Sequence, residues 1–247
     1  MTNISEHITY SEAIFSQTAI DNKIENEFRI ARRYFKELEL SNGTQKALNI
    51  HELNNEFKKS IFNLLGETCG AAYYSSTGTG FDIFILITLK MVNLSFQDGH
   101  SWSSVFAYSN FSTILISRWQ DYDTAYQIAN LAEDLAIRYG NIFVLARTYY
   151  ILASLVFPWK KPTKDNLILL EQAQVWALEA GDLNYATSAA ALIGVTAFYI
   201  GHSLDQVRQK AAQYGPFLIS VNTGAYNTLN LLNQVAKCLQ GETYGPT

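Results

Sequence analysis

"LSFQDGHSWSSVFAYSNF" (94–111), "LAIRYGNIFVLARTYYIL" (135–152) and "WALEAGDLNYATSAAALI" (176–193) each turn on one glycine, and their alignment decides the fold. Gly99, Gly140 and Gly181 are separated by two equal intervals of 41 residues. Each closes one helical pattern and precedes another. The left-handed position just past a helix favours glycine, which has no Cβ to clash there. Eight residues on sit Ala107, Thr148 and Ala189, all fairly small, and a looser fourth copy begins at Gly224. A period near 40 fits a helix-turn-helix unit that stacks on its neighbours, longer than a standard tetratricopeptide repeat (TPR) and nearer HEAT or armadillo spacing.

Apolar residues recur at helical spacing within these units. The stripes are Ala125, Ile128, Ala132 and Leu135 in 121–139, and Phe143, Ala146, Tyr150 and Ala153 in 143–156. In 165–180 they are Leu169, Ala173, Trp176 and Ala180; in 184–200, Tyr185, Ala189, Leu192, Val195 and Tyr199. The run Ala189–Ala191 would let another helix approach closely. Asp182 suits an N-cap, and Ser203 with Gln206 fits a capping box. Pro158 and Pro162 mark a break between 157 and 164.

Upstream, 22–40 reads as a helix with Ile24, Phe28, Ala31, Phe35 and Leu38 on one face, 46–65 as a second and 81–97 as a third. The segment 66–80, "GETCGAAYYSSTGTG", reads as a long loop. The expected fold is all-α: a TPR-like, right-handed stack of helical hairpins, an α-solenoid of about ten helices. Residues 1–80 would be a divergent helical segment and 81–247 the repeat region, in one continuous domain.

Composition narrows the function. Lys plus Arg is 18 against 22 Asp plus Glu, a net charge of −4, which argues against nucleic acid as partner. The densest basic run, Lys160, Lys161 and Lys164, reads as a solvated loop. Cys69 and Cys238 form no metal or disulfide pattern. The apolar stretches Phe81–Leu94 and Ala186–Ile200 are short for a bilayer crossing, so no membrane span is expected. Met1–Tyr10 lacks the marks of a secretory signal, and a cytoplasmic location follows.

Chemistry is sparse. His7, His51, His100 and His202 stand at no metal-binding spacing. Ser76–Gly80 lacks the Lys-Ser/Thr ending of a phosphate loop. Carboxylate pairs such as Asp121/Asp123 and Glu133/Asp134 read as solvated helix faces. No catalytic residue, metal or cofactor is expected. Tyr108, Tyr149, Tyr150 and Tyr185 fall in the helices after the glycines, taken as the first helix of each repeat and so the one lining a concave face. Tyrosine suits a binding groove, although packing between helices explains it as well. Arg147 beside Tyr149 is the first pair to test, with Asn110 and Asn184 as polar neighbours. Arg147→Glu is expected to impair partner capture and leave the helices intact. Gly181→Val is expected to destabilise by about 1–2 kcal/mol.

From Leu86 to Phe217 the chain resembles the helical-repeat segment of very large bacterial signalling proteins, frequent in cyanobacteria. The residues that carry this are "LKMVNLSFQDGHSWSSVFAYSNFSTIL" (89–115), "DYDTAYQIANLAEDLAIRYGN" (121–141), "FPWKKPTKD" (157–165) and "ALEAGDLNYATSAA" (177–190), with "NTLNLLNQVAKCLQG" (227–241) weaker. Those proteins join a serine/threonine kinase, a STAND-type ATPase, helical repeats, a GAF domain and a sensor histidine kinase. The enzymatic motifs of that family have no counterpart in this sequence. The resemblance therefore implies only the repeat fold and a sensing or coupling role, with a signalling kinase or ATPase as a possible partner. The expected function is a non-catalytic protein-interaction or regulatory module that binds a peptide or protein. The alternatives are a small-molecule sensor with 66–80 as a lid over a pocket among the helices, and a helical enzyme with a cleft of converging ionisable groups.

Overall fold

The computed structural model describes residues 17–39, 47–75 and 79–242. Among them are ten α-helices: α1 (Gln17–Glu39), α2 (Glu56–Tyr74), α3 (Gly80–Asp98), α4 (Trp102–Trp119), α5 (Tyr122–Tyr139), α6 (Ile142–Ile151), α7 (Thr163–Glu179), α8 (Leu183–Tyr199), α9 (Leu204–Val221) and α10 (Thr223–Leu239). No strand occurs among the described residues; one isolated parallel bridge joins Glu52 and His100. The all-α expectation holds.

The glycine spacing also holds. Helices α3, α5, α7 and α9 begin at 80, 122, 163 and 204, and α4, α6, α8 and α10 at 102, 142, 183 and 223. Gly99, Gly140 and Gly181 stand between the two helices of successive pairs, all with positive φ (109°, 60° and 72°). At Gly181 the Asp182 amide donates to the Ala177 carbonyl at 2.8 Å, the longer bond of a Schellman ending. The Asn141 and Asp182 side chains then cap α6 and α8 by accepting from backbone N–H groups of the first turn. Gly224 does not continue this series. It lies in the first turn of α10, and the cap there is Asn222, which accepts from Ala225 N at 3.0 Å.

Several expectations upstream are corrected. The second helix runs over Glu56–Tyr74 rather than 46–65, because Asn55 caps it through a bond from Lys58 N. The expected loop at 66–80 is helical as far as Tyr74; residues 76–78 lie outside the described residues, as do 1–16 and 40–46 of the N-terminal segment. Gly66 and Gly70 weaken a helix by about 1 kcal/mol each relative to alanine. Burial of Phe62, Cys69 and Ala72 on the same helix outweighs them. A lid made of 66–80 therefore loses its basis.

The chain divides into two compact units, residues 1–135 and 136–247. The reason is packing: α1 and α2 both lie against α3, and α2 and α3 against α4. In this first unit Ile24, Ala31 and Phe35 of α1 are buried with Phe62 and Cys69 of α2, Leu89 and Met91 of α3, and Tyr108 and Phe111 of α4. The Phe35 ring stacks on Phe111 at 5.6 Å and meets Phe96 edge-on at 5.0 Å. Polar ties add to this. Asn93 donates to the Glu27 carboxylate at 2.7 Å, Lys90 pairs with Glu27 at 2.8 Å, and Arg118 pairs with both Asp21 and Asp82. Gly99 lies under the 51–53 segment, where Leu53 N donates to His100 O at 2.8 Å and His100 N to His51 O at 2.9 Å.

In the second unit α6 packs on α7, α7 on α8, and α9 and α10 on α8 and on each other. After Ile151 the chain continues as a π-turn, Leu152–Val156, and a short 3-10 turn, Phe157–Trp159, before Pro162 leads into α7. The alanine run acts as expected: Ala190 and Ala191 share a core with Leu218 and Leu229. Gly194 lets α10 come closest, since a Cβ there would lie 2.3 Å from Leu229 Cδ1.

The stretches Gly80–Asp98 and Ile142–Trp159 are long and apolar enough to cross a membrane by length and composition alone. Half of the first window and 44% of the second are buried inside the structure, as in core helices.

Candidate functional site

Burial and contacts sort the seven residues singled out from the sequence. Tyr108 is fully buried, and its hydroxyl shares a 2.9 Å hydrogen bond with His100 Nε2. Asn110 is buried, and among the described residues its amide nitrogen has no hydrogen-bond partner. Neither side chain faces solvent, so neither serves a surface groove. His100, although it follows the turn glycine Gly99, is buried as well.

The other five lie in the second unit, and three of them, Arg147, Tyr150 and Tyr185, are joined through Tyr185. Arg147 Nε donates to Asp182 Oδ2 at 2.7 Å. Its guanidinium lies 3.9 Å from the Phe143 ring centre and 5.0 Å from that of Tyr185. Tyr150 meets Tyr185 edge-on at 5.2 Å, and Tyr149 meets Trp176 in the same manner and at the same distance. Asn184 is exposed, one residue from Tyr185. Asp182 is at once the cap of α8 and the partner of Arg147. The cluster thus fixes α6, α7 and α8 against each other. Arg147, Tyr150 and Tyr185 thus make contacts between α6 and α8, and Tyr149 makes one between α6 and α7.

An open groove appears elsewhere, between α9 and α10. It encloses about 830 Å³. The groove exists because α9 presents Ala211, Ala212 and Gly215 where larger side chains would close it; a Cβ on Gly215 would lie 4.0 Å from the Tyr226 ring. Leu229 and Ile219 supply apolar floor. The amides of Gln209, Asn230 and Asn233 line it, and among the described residues they make no hydrogen bond. Pro216 sits inside α9 and lacks an N–H, so the Ala212 carbonyl, also at the groove, loses its helical donor. One end is tied by Arg208, which donates to Gln240 and Glu242, while Gln240 donates to Asp205. The groove has no motif in the sequence, because its signal is an absence of bulk that shows only once α10 lies beside α9.

Two ionisable groups are perturbed. Burial pushes the Cys69 thiol from 9.0 up to about 11, against a smaller lowering by its bond with Thr88. Burial also raises Tyr214, with Lys210 opposing and Glu171 assisting. A thiol held protonated is a poor nucleophile at neutral pH. Among the described residues no three His, Cys, Asp or Glu side chains gather as a metal site would require. A scan against protein-family models finds no match, and neither the curated proteins nor the solved structures yield one.

Proposed function

We propose that this chain is a non-catalytic helical-repeat module that binds a protein segment, with the α9/α10 groove as its binding surface. The observation that supports it most is the groove itself: an apolar floor, a carbonyl without its helical donor, and three amides without partners. Amides in such a place match the alternating donors and acceptors of a peptide backbone, and the small floor residues leave room for its side chains. The 40–42-residue recurrence of helix starts supports a TPR-like, right-handed solenoid, in which stacked pairs bury a shared core and leave grooves open. A cytoplasmic, signalling role beside a kinase or ATPase belongs to the same proposal and rests on the resemblance of residues 86–217 to such repeat segments.

The test is capture from the native host with wild-type chain and with Ala212→Trp, which fills the groove from an exposed position. A protein retained by the wild type and lost by the variant, at equal helical circular dichroism, supports the reading. Retention by both overturns it. Asn230→Ala with Asn233→Ala is the second variant, should the tryptophan disturb α9, and it should weaken capture by about tenfold.

A further inference from the structure

Read as a linear run, the densest basic segment is 160–164. Read on a helix, it is another. Arg29, Arg32, Arg33 and Lys36 stand at i, i+3, i+4 and i+7 of α1 and fall on one face of it. All four are exposed, and none has an ion pair or hydrogen bond among the described residues. They border a groove of about 550 Å³ in the first unit, whose floor includes Phe35, Phe111 and Leu115. Asp121 is on the far side, its carboxylate accepting from Thr124 N at 3.1 Å as the cap of α5. Glu25 lies one turn before Arg29 on the same face. Glu37 flanks the face one turn past Arg33, so four cations stand with three carboxylates in a chain whose net charge is −4. Like charges gathered without partners destabilise a helix slightly. The arrangement makes sense where an anion joins them.

We infer that this groove binds an acidic protein segment in which carboxylates flank an apolar residue. The cations meet the carboxylates, with arginine suited to bidentate pairing, and the floor takes the apolar side chain. Nucleic acid fits less well. Single strands need open aromatic faces on which bases stack. Here the Phe28 ring is already stacked on Trp119 at 3.6 Å, and Phe35 and Phe111 are buried against each other. The overall negative charge and Asp121 oppose a polyanion further.

The experiment is a fluorescence-anisotropy titration of the full chain with a short labelled peptide in which glutamates flank a phenylalanine. A glutamine version and a labelled oligothymidine are run beside it. The acidic peptide should bind and the glutamine version should bind at least tenfold more weakly, with affinity falling as salt rises. Arg32→Glu with Arg33→Glu should cost at least tenfold. Lys23→Glu with Lys164→Glu, the same change in net charge placed off this face, should cost less than about twofold. Arg32→Gln with Arg33→Gln serves if the reversal disturbs α1, and should still cost several-fold. Failure of the acidic peptide to bind, an equal loss in the control pair, or an oligothymidine affinity matching that of the peptide would each overturn the inference. The α9/α10 groove is untouched by these variants, so the two readings stand or fall separately.

Discussion

Gly99 and Gly181 occupy equivalent places in the repeat and have different surroundings, so the same substitution separates two energies. Gly181→Ala imposes a left-handed conformation on a residue with a Cβ, at about 1–2 kcal/mol. Nothing lies within 4 Å of that Cβ. The narrower unfolded ensemble returns about 0.4–1 kcal/mol, leaving a net loss near 1 kcal/mol. Gly99→Ala starts from φ 109° and ψ 168°, a region nearly closed to other residues and worth about 1–3 kcal/mol of strain. Its Cβ would also lie 2.7 Å from His51 O and 3.0 Å from Leu53 N, both backbone atoms. The 51–53 segment must then retreat and give up its two bonds to His100, at about 1 kcal/mol each. With the same return from the unfolded ensemble, the expected loss is about 3 kcal/mol. Urea unfolding followed by circular dichroism reads the totals. Because the two glycines lie in different compact units, hydrogen exchange supplies the local measure: the Leu53 and His100 amides should lose protection in Gly99→Ala alone. Equal losses in the two variants, or unchanged protection of Leu53, would refute the reasoning.

Two other outcomes follow from contacts described above. Arg147→Glu should lower stability by about 2–4 kcal/mol, since it sets two carboxylates side by side at the largely buried Asp182; this reverses the expectation that the helices would be indifferent, and an unchanged melting curve would contradict it. Cys69 is raised in the folded state, so its contribution is complete below pH 9 and is lost as the pH climbs towards 11, amounting to about 2–3 kcal/mol; Cys69→Ala should flatten that part of the stability profile, while at pH 8 iodoacetamide should label the exposed Cys238 and spare Cys69.

Local chemistry was legible in the sequence wherever one residue decides the backbone. The three glycines, the Asp182 cap, the Ser203–Gln206 box and the break at Pro158–Pro162 all rest on a single φ preference or a single bond, and the structure places them as the residues require. Helix α2 was misplaced because Asn54 and Asn55 carry the start signal while 66–74, rich in glycine and small residues, looks like a loop until α3 lies beside it. The burial of Tyr108 is not legible in the sequence because its hydroxyl finds a partner, His100, inside the core, and no spacing rule announces that pair. For Arg147 the sequence offers only the residue type, because the carboxylate that holds it is 35 residues away. The basic face of α1 was present at helical spacing all along and is dispersed in the linear text by Ile30, Ala31, Tyr34 and Phe35.

The π-turn at Leu152–Val156 sets a rule for how this chain can change in length. A π-turn accommodates one residue more than an α-turn. Removing a residue there converts wide winding to ordinary winding and leaves the faces on either side in phase, whereas the same deletion inside α8 would swing every following side chain through about 100°. Drift in repeat length can therefore accumulate at this point without disturbing the hairpin that follows, and grafted or shortened versions of the molecule are best joined there.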